Sequence, residues 1–509
     1  MKYAVSSAAL VAGVVSQATF EPADFNVTEA LLNNGVKVSA LPELAPLAER
    51  SSLDGCSIAC NSLKLIFGDD QVETQSEAAY DAFIGDYWAG QQRDISPQCV
   101  FKPEKALDVS TSILLSRLTQ CPFAAKSGGH SAVPGGSNIE GGITISFEKM
   151  NKTTASSDKK SATFEPGQTC QHALNQSSGI SYFSSVYGLA CDNVISYELV
   201  TASGLIINVS KDSFPDLYWA LRGGGNNFGI VTKFNVNAIP RAPTMWGGMR
   251  AYYGNQSETL IKAYYNLGMN GKNDGKAHQI LSFGYGAEVG EIAQVELEYS
   301  DPITDAPVLA EYNSIKGAIS DKAGINSLAN LTANLAAPGA AARQAFWTWT
   351  TKLDLEMATL AKDTFYEELD SILDVPGLLG AVSLQVLTDP IIEKSATNGG
   401  NALGLDPKDG PLMLALVSMS WANSGDDDKM NKFHARIKDR CVAAAKAKGK
   451  ANEYLYMNYA SPWQDPVAGY GPANKARLQA ISKKYDPTGV FEILQPGYFK
   501  LNGPPRNDL

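Results

Sequence analysis

The sequence predicts an α+β fold divided into two units, and three observations support this. The chain has 509 residues, which is too long for one ordinary domain. Hydrophobic residues make up 44% and charged residues 19% of it, the balance of a globular protein. After Pro240 the pattern changes, because short strands between polar turns give way to longer strands interleaved with helices.

The first twenty residues, MKYAVSSAALVAGVVSQATF, have the pattern of an export signal. A lysine precedes a short apolar run, and small residues surround Ser16-Gln17-Ala18, so we predict a signal peptide over residues 1–18. The run is too short to span a bilayer. Six N-x-S/T sequons favour a secreted, N-glycosylated protein: Asn26, Asn151, Asn175, Asn208, Asn255 and Asn330.

Charge and metal-ligating residues exclude several classes of partner. The net charge is −11 without a long basic run, which argues against nucleic acid or an anionic membrane as a partner. The four histidines are scattered and no CxxC motif is present, which argues against zinc or copper. The sequence therefore predicts an organic cofactor or none.

The cysteines indicate disulfides near the amino terminus. There are seven of them, and an oxidising compartment would permit pairing. The best candidates are Cys56, Cys60, Cys99 and Cys121, with the pairing left open. Because the number is odd, at least one thiol stays unpaired within the chain.

The first unit is predicted to contain short helices and strands. Residues 20–55 are predicted to form a loosely structured amino-terminal segment with a short helix. The polar segment NKTTASSDKK is predicted to be a turn. The segment 214–236 is predicted as a short helix, a triple-glycine turn and a β-rich run. The other predicted helices are 76–88 and 104–120, and the other predicted strands are 142–147, 161–166 and 205–210.

The second unit, from residue 244 to about 450, is predicted to be built on a mainly antiparallel sheet. Its predicted strands are MWGGMRAYY, HQILSFGYGAEVGEIAQVELEY, GAVSLQVL and PLMLALVSMSW. Its predicted helices are 256–269, 306–318, 357–374 and 427–448.

The stretch CPFAAKSGGHSAVPGGSNIEGG, residues 121–142, is the first candidate binding segment. Consecutive glycines let backbone N–H groups approach a phosphate closely. No Gly-Lys-Ser/Thr follows, and the stretch does not match GxGxxG at the start of a helix. A glycine-rich turn with a surface histidine is the alternative. A second bend, WALRGGGNNFGIV, favours a ligand that touches several loops, such as a large dinucleotide.

Several motifs together resemble the FAD-linked oxidoreductases of the berberine-bridge-enzyme type, in the vanillyl-alcohol oxidase superfamily. The similarity is to secreted fungal members and runs in order from Gln71 to Leu501. The motifs are YWAGQQRDISPQCVFKP, CPFAAKSGGHS, SNIEGGITI, YGLACDNVISYELVTASG, LYWALRGGGNNFGIVTKF, NGGNALGLDP and YLYMNYASPWQDPVAGYG…YDPTGVF.

The resemblance implies a PCMH-type FAD-binding domain made of two chain segments, 56–240 and 450–509. A substrate domain, 241–449, would be inserted between them and cover the flavin with its antiparallel sheet. His130 would be the covalent attachment point of the flavin. The other implied cofactor residues are Lys126, Ser127, Gly128, Gly129, Ser131, Asp192, Asn193, Gly229, Val231, Tyr456 and Asn458.

The segment YMNYA is similar to the family's active-site strand, and the resemblance implies Tyr459 as the catalytic base. In a strand, Tyr456 and Asn458 would share one face and Tyr459 would lie on the other. A phenol has a pKa of about 10, so we expect the surroundings of Tyr459 to lower that pKa. Gln385 and Trp421 are interpreted mainly as packing residues.

The chain departs from the family between Leu174 and Ser178, where relatives carry a glycine-rich segment that contacts the flavin. In bicovalent members that segment also supplies a cysteine bonded to the flavin. Here Cys170 and Cys191 flank the gap without matching the motif. Either the deletion is genuine and leaves the flavin site open on one side, or the stated sequence lacks a segment of the natural protein.

The sequence therefore predicts a secreted, monomeric FAD-dependent oxidase. It would move a hydride from a C–H beside an alcohol or amine to flavin N5, with Tyr459 taking the proton and O₂ becoming H₂O₂. Sugars, oligosaccharides, alkaloids and secondary-metabolite alcohols all stay open as substrates. Two alternatives are a dehydrogenase that avoids oxygen and a flavin-free secreted binding protein.

Overall fold

A computed structural model of the chain describes residues 20–41, 43–44, 52–168, 179–286, 290–334 and 342–509. The predicted signal peptide, the sequon at Asn175 and the departure near residues 174–178 lie outside the described residues. The described residues form three β-sheets with helices packed on them, which confirms the α+β fold class.

The first sheet is mixed and has the strand order β1-β2-β4-β3. Strands β2, β4 and β3 run parallel, because α5 crosses over from β2 to β3. The elements are α1 (Val27–Asn33), α2 (Ser52–Phe67), β1 (Val72–Thr74), α3 (Ala78–Gly85), α4 (Gly90–Arg93), β2 (Cys99–Phe101), α5 (Ala106–Thr119), β3 (Phe123–Lys126) and β4 (Ile143–Ser146).

Two disulfides attach α2 to this sheet, Cys56–Cys121 and Cys60–Cys99. The four cysteines singled out in the sequence are thus the paired ones. Among the described residues, Cys191 and Cys441 are buried free thiols, and Cys170 lies outside that set.

The second sheet is antiparallel, with the order β5-β6-β9-β7-β8. Its elements are β5 (Thr153–Ala155), β6 (Ser161–Phe164), α6 (Ser184–Tyr187), β7 (Val194–Val200), β8 (Ile206–Ser210), α7 (Pro215–Leu221) and β9 (Ile230–Asn237). The prediction of NKTTASSDKK as a turn only is wrong, because its first half is β5, an exposed edge strand paired with β6. Its polar side chains reflect that exposure.

The third sheet is antiparallel and has nine strands, as predicted for the second unit. Its strands are β10 (Thr244–Tyr253), β11 (Ala277–Gly286), β12 (Gly290–Tyr299), β13 (Ser320–Asp321), β14 (Gly324–Ser327), β15 (Arg343–Lys352), β16 (Leu379–Leu387), β17 (Leu412–Trp421) and β18 (Ala451–Asn452). Its helices are α8 (Ser257–Met269), α9 (Ala310–Ser314), α10 (Leu328–Asn334), α11 (Leu355–Leu369), α12 (Asp389–Lys394) and α13 (Asp427–Ala447).

The third sheet has one apolar and one polar face, because side chains alternate along each strand. The apolar face packs against α8, α11 and α13, with Leu281, Phe283 and Val295 fully buried. The other face turns toward the first unit. It carries Ser282, Gln294 and Ser383 in half-buried positions, so it is the face that can meet a polar ligand.

The carboxyl-terminal segment returns to the first unit through α14 (Pro466–Gly469), α15 (Pro472–Tyr485) and α16 (Val490–Ile493). The backbone N–H of Phe123 in β3 donates to the carbonyl of Leu494 at 2.6 Å. The Tyr470 hydroxyl donates to the Gly223 carbonyl at 3.1 Å. The tail and the first unit therefore share a core. Among the helices of the described chain, none combines the length and apolarity needed to cross a bilayer.

Candidate active site

The glycine-rich segment forms a loop at the carboxyl end of β3, which is an edge strand of the parallel set. Gly128 and His130 are exposed there, and Gly129 has φ +70°, a backbone conformation that favours glycine. The backbone N–H groups from Gly128 to Ala132 donate no hydrogen bond to any described residue. A Cβ on Gly128 would meet no atom within 4 Å, so the loop is open on that side.

The motif YWAGQQRD holds this loop in place through hydrogen bonds to its carbonyl groups. The Gln91 amide donates to the Ala132 carbonyl at 2.9 Å, and the Gln92 amide donates to the Val133 carbonyl at 2.6 Å. The Tyr87 hydroxyl donates to the Ser137 carbonyl at 2.7 Å. Since these contacts use carbonyl groups, they leave the N–H groups of the loop available.

His130 packs against the aromatic side chain of Trp88. Its ring stacks on the Trp88 indole, with centroids 4.0 Å apart and the planes 15° from parallel. Loss of hydration lowers the pKa of the imidazole, which favours the neutral form. A neutral imidazole nitrogen is a nucleophile, as the predicted attachment to a flavin requires.

A series of rings leads from His130 to Tyr459, and we call it the aromatic row. The Trp88 and Phe346 centroids are 5.5 Å apart, and Phe346 and Tyr459 are 6.2 Å apart. The Tyr456 ring then meets Tyr459 edge-on at 4.8 Å. The aromatic row places the predicted tether and the predicted base along one cleft between the two units.

The prediction of YMNYA as a strand is wrong. Residues Met457–Tyr459 form a 3₁₀ turn, in which side chains three residues apart lie on the same side. Tyr456 and Tyr459 are therefore neighbours, not residues on opposite faces. The Tyr456 hydroxyl accepts hydrogen bonds from the Asn458 amide at 2.8 Å and from the Ile180 N–H at 3.1 Å.

The environment of Tyr459 also differs from the expectation. Burial raises the pKa of its phenol, and the hydrogen bond with Gln385 only partly opposes that effect. The Gln385 amide nitrogen is 3.2 Å from the Tyr459 oxygen, so the buried Gln385 has a polar contact with the predicted base in addition to its packing in the sheet. Trp421 is buried and donates to Asp427 at 2.9 Å, in agreement with a packing role.

Lys126 lies beneath the loop. Its ammonium is 4.1 Å from the Phe83 centroid and 4.4 Å from the Tyr87 centroid, with Asp86 at 3.6 Å. Burial lowers its pKa. A Cβ on Gly129 would be 2.8 Å from the Lys126 side chain, so the lysine supports the loop from below. Of the two predicted serines, Ser127 donates to the Pro166 carbonyl, and Ser131 accepts from the Val133 N–H at 3.2 Å.

Asp192 and Asn193 both brace the turn before β7. Asp192 is buried, accepting from the Leu189 N–H at 3.0 Å and from the Asn401 amide at 2.8 Å. Asn193 donates to the Leu189 carbonyl at 3.0 Å. Asn193 also lines a cavity of about 260 Å³ that includes Tyr182.

Gly229 and Val231 mark the start of β9. A Cβ on Gly229 would lie 2.7 Å from the Val200 carbonyl oxygen, and φ is +145°. Close approach of β7 and β9 therefore requires this glycine, apart from any cofactor contact. Val231 is half-buried and pairs with Leu199.

Some site residues were not predicted from the sequence. The motif YWAGQQRD belongs to the family resemblance, but its sequence alone indicates no individual role for Trp88, Gln91 or Gln92. Phe346 lies in β15, a strand that the sequence pattern did not predict. Glu296 was also missed, although two acidic residues on one face of a buried strand are unusual enough to mark it.

These residues fit a bound FAD. Backbone N–H groups that have no acceptor among the described residues suit a pyrophosphate, and the exposed His130 lies in the same glycine loop. The Asp192 side chain has structural hydrogen-bond partners of its own, and Gly229 is required by the close approach of β7 and β9. The loop and the aromatic row are thus the strongest part of the candidate cofactor site.

Comparison with known families and proteins agrees with this geometry. Residues 97–179, which include the loop, match the family described as FAD binding domain. The FAD-dependent monooxygenase FUP4 of Fusarium proliferatum is 33% identical over 510 residues, covering 90% of this chain and 98% of that protein.

Solved structures show the same fold. The xylooligosaccharide oxidase of Myceliophthora thermophila aligns with a TM-score of 0.69 at 18% identity, covering 90% of this chain and 100% of that one. The berberine bridge enzyme of Eschscholzia californica aligns with a TM-score of 0.66 at 15% identity, covering 85% and 97%.

Proposed function

Because the chain belongs to the FAD-linked oxidoreductases of the berberine-bridge-enzyme-like group, we propose that it is a secreted FAD-dependent oxidase of small molecules. It would oxidise a C–H beside an alcohol or amine, with O₂ as the final acceptor and H₂O₂ as product. FAD, when bound, supplies the acceptor for the hydride of that C–H bond. The observation that carries the proposal is the run of backbone N–H groups around His130, at one end of the aromatic row, that donate to no described residue.

Different segments of the chain would bind the cofactor and the substrate. Segments 56–240 and 450–509 bind the cofactor, and residues 241–449 bind the substrate. The loop N–H groups hold the pyrophosphate, with Ser127, Ser131, Asp192, Asn193, Gly229 and Val231 around the rest of the cofactor. His130 forms the covalent bond through its neutral imidazole.

The substrate would lie between the aromatic row and the polar face of the third sheet. Tyr459, held by Gln385, contacts the reacting hydroxyl or amine and takes part in removing its proton. Tyr456 and Asn458 fix the position of Tyr459 through the ring contact and the hydrogen bond between them. Closing the cleft with aromatic rings excludes water from the reacting atoms.

The names of the relatives favour a second candidate, a monooxygenase. In that reaction one oxygen atom of O₂ enters the product and the other leaves as water, with a nicotinamide cofactor as the external reductant. Labelled ¹⁸O₂ separates the two reactions. Label in the organic product indicates a monooxygenase, whereas labelled H₂O₂ with unlabelled product indicates an oxidase.

The exported character is also part of the proposal. The sequons at Asn26, Asn151, Asn208, Asn255 and Asn330 are all exposed. Expression in a secreting host with and without glycosidase treatment measures whether they carry glycans. Size-exclusion chromatography with light scattering measures whether the protein is a monomer.

Purification of the full-length chain tests the function directly. We expect a yellow protein with a flavin absorbance spectrum whose colour stays with the chain after acid denaturation. His130→Ala should release the flavin on denaturation, while His434→Ala, a matched histidine in the core of α13, should retain it. A colourless protein that cannot be reconstituted with FAD overturns the proposal and supports a flavin-free binding protein.

A further inference from the structure

Two glutamates on β12 lie on the polar face of the third sheet, next to the candidate active site. Glu296 and Glu298 are two residues apart, so their side chains point to the same side. Glu298 is fully buried, and Glu296 is 9% exposed. Buried carboxyl groups are rare unless a cation or a hydrogen-bond donor compensates them.

The contacts of this pair come from both units. The Tyr182 hydroxyl, in the segment before α6, donates to Glu296 Oε1 at 3.2 Å. On the neighbouring strand, His278 Nδ1 is 2.9 Å from Glu298 Oε2, and the His278 and Tyr182 rings meet at 5.4 Å. The second oxygen of Glu298 has no hydrogen-bond partner among the described residues.

Among the residues that the structure describes, no cation neutralises the pair. Within the described residues, neither Glu296 nor Glu298 forms an ion pair with lysine or arginine. Burial lowers the pKa of His278 to about 4, so the imidazole is neutral at ordinary pH. The same described residues contain no group of histidine, cysteine and acidic side chains arranged to hold a metal ion.

Both carboxyl groups of the pair are therefore mainly protonated near neutral pH. Burial, together with the proximity of Glu298, raises the pKa of Glu296 to about 9. Burial raises the pKa of Glu298 to about 8. Two close carboxyl groups in a dry site cannot both ionise easily, so they titrate as a unit. The contact between His278 and Glu298 is thus a neutral hydrogen bond.

Strand register connects the pair to Tyr459. Glu296, Ile280 and Gln385 lie directly opposite one another across β12, β11 and β16. Glu296 and Gln385 therefore share a face, with backbones about 10 Å apart. A charge on Glu296 also acts on the phenol of Tyr459 and raises its pKa.

A second connection runs through the segment 180–182. The Ile180 N–H donates to the Tyr456 hydroxyl, and Tyr182, two residues later, donates to Glu296. The segment 180–182 thus contacts both Tyr456 and the acidic pair. The titratable groups that act on Glu296 are Glu298, His278 and Tyr182, and Glu296 acts in turn on Tyr459.

We propose that Glu296 and Glu298 form the proton acceptor of the oxidation, with Tyr459 orienting the substrate and not storing its proton. This rests on the proposed function. Once one carboxyl group of the pair has ionised, the substrate O–H or N–H bond breaks and its proton bonds to that carboxylate oxygen. The electron pair left behind forms the C=O or C=N bond as the hydride passes to FAD. Tyr459, whose pKa is raised, stays protonated.

The first experiment detects the protonated carboxyl groups of Glu296 and Glu298 directly. Infrared spectra of the full-length chain, recorded as a pH titration, should show a protonated-carboxyl carbonyl band at neutral pH that disappears between about pH 8 and 10. Glu296→Gln should remove this titrating band. Glu291→Gln, on the exposed end of the same strand, should leave it unchanged. Fully ionised carboxylates at neutral pH would overturn the proposal.

The second experiment measures H₂O₂ release against pH, with benzyl alcohol, cellobiose and benzylamine as probes. We expect kcat/KM to rise with pH through the titration of the pair, and Glu296→Gln to lower it at least tenfold and flatten that rise. An unchanged pH profile in this variant overturns the proposal but leaves the proposed function intact. A protein that shows the band and oxidises none of the probes contradicts the proposed function, and the catalytic role of the pair with it.

Tyr182→Phe covers the case in which the glutamate variant does not fold. It removes only the hydroxyl that donates to Glu296, a bond that lowers the pKa of Glu296. The carboxyl band and the pH profile should then both move to higher pH. If neither moves, Glu296 is not the group that titrates.

Discussion

Within the described part of the chain, the Tyr459 hydroxyl has one side-chain hydrogen-bond partner, Gln385. We predict that Gln385→Leu raises the pKa of Tyr459, because the hydrogen bond that opposes the effect of burial is lost. The free energy of unfolding should fall by about 1 kcal/mol. Chemical denaturation measures the stability, and ¹³C-tyrosine NMR titration measures the pKa.

A double-mutant cycle with Tyr459→Phe supplies the control for that prediction. If the hydrogen bond is the cause, the two substitutions should show a coupling free energy of about 1 kcal/mol. Strictly additive effects would mean that Gln385 acts through packing in the sheet and not through Tyr459.

At the scale of elements, the approach of β7 to β9 depends on Gly229. We predict that Gly229→Ala lowers the free energy of unfolding by about 1–3 kcal/mol, because the new methyl group would meet the Val200 carbonyl and φ is positive. Gly425→Ala is the control, since a Cβ there meets no atom within 4 Å. Unchanged stability of Gly229→Ala together with weaker FAD binding would instead indicate a direct cofactor role.

The attachment of α2 to the first sheet gives a second prediction at this scale. The Cys56–Cys121 disulfide closes a loop of 65 residues. Chain entropy then predicts a loss of about 4 kcal/mol in the free energy of unfolding for Cys56→Ser with Cys121→Ser. Urea denaturation of the two proteins measures the difference, and Cys441→Ser is the control. Equal stabilities would show that α2 is held by packing alone.

For the whole molecule, the acidic pair makes stability depend on pH. The pKa values of Glu296 and Glu298 are raised in the folded state, to about 9 and about 8, so the folded protein holds more protons than the unfolded chain above the ordinary carboxyl pKa. Their contribution is complete below the ordinary carboxyl pKa and is lost progressively as pH rises from there to the folded values. We predict that Tm falls between about pH 7 and 9, the upper part of that range, because the folded pair still holds more protons there than the unfolded chain.

The double variant Glu296→Gln, Glu298→Gln separates this effect from other titrations, because its Tm should fall less over the same interval. His278 does not interfere, since its lowered pKa affects stability only at more acidic pH. Parallel Tm curves for the two proteins would mean that the pair is already ionised in the folded state.

The two units are also connected by ion pairs at the start of β15. Arg343 there pairs with Asp94 from the first unit at 2.6 Å and with Asp427 at the start of α13. Gln91 connects the same strand to the loop of His130, since its oxygen accepts from the Gln344 N–H at 3.2 Å. These contacts fix the cleft between the cofactor loop and the sheet.

Local patterns in the sequence were sufficient to predict most of the long helices and strands of this protein. Apolar spacing and turn residues predicted α5, α8, α11, α13 and most long strands, because those segments have strong periodicity of their own. The predictions were wrong or missing where the pattern was short or mixed. β5 has three residues, and β15 combines arginine, glutamine and threonine with tryptophan because one face contacts the cleft.

The sequence by itself determined the fold class, the family and the candidate tether His130, since these depend on motifs that are contiguous in the chain. Tertiary structure alone decided how residues distant in sequence share one site. It stacked Trp88 against His130. It also brought Gln385 within hydrogen-bond distance of Tyr459, and Tyr182 within hydrogen-bond distance of Glu296. Proton affinity in particular is a property of burial and neighbours, so the raised pKa values of Tyr459 and of the acidic pair could not be read from residue types.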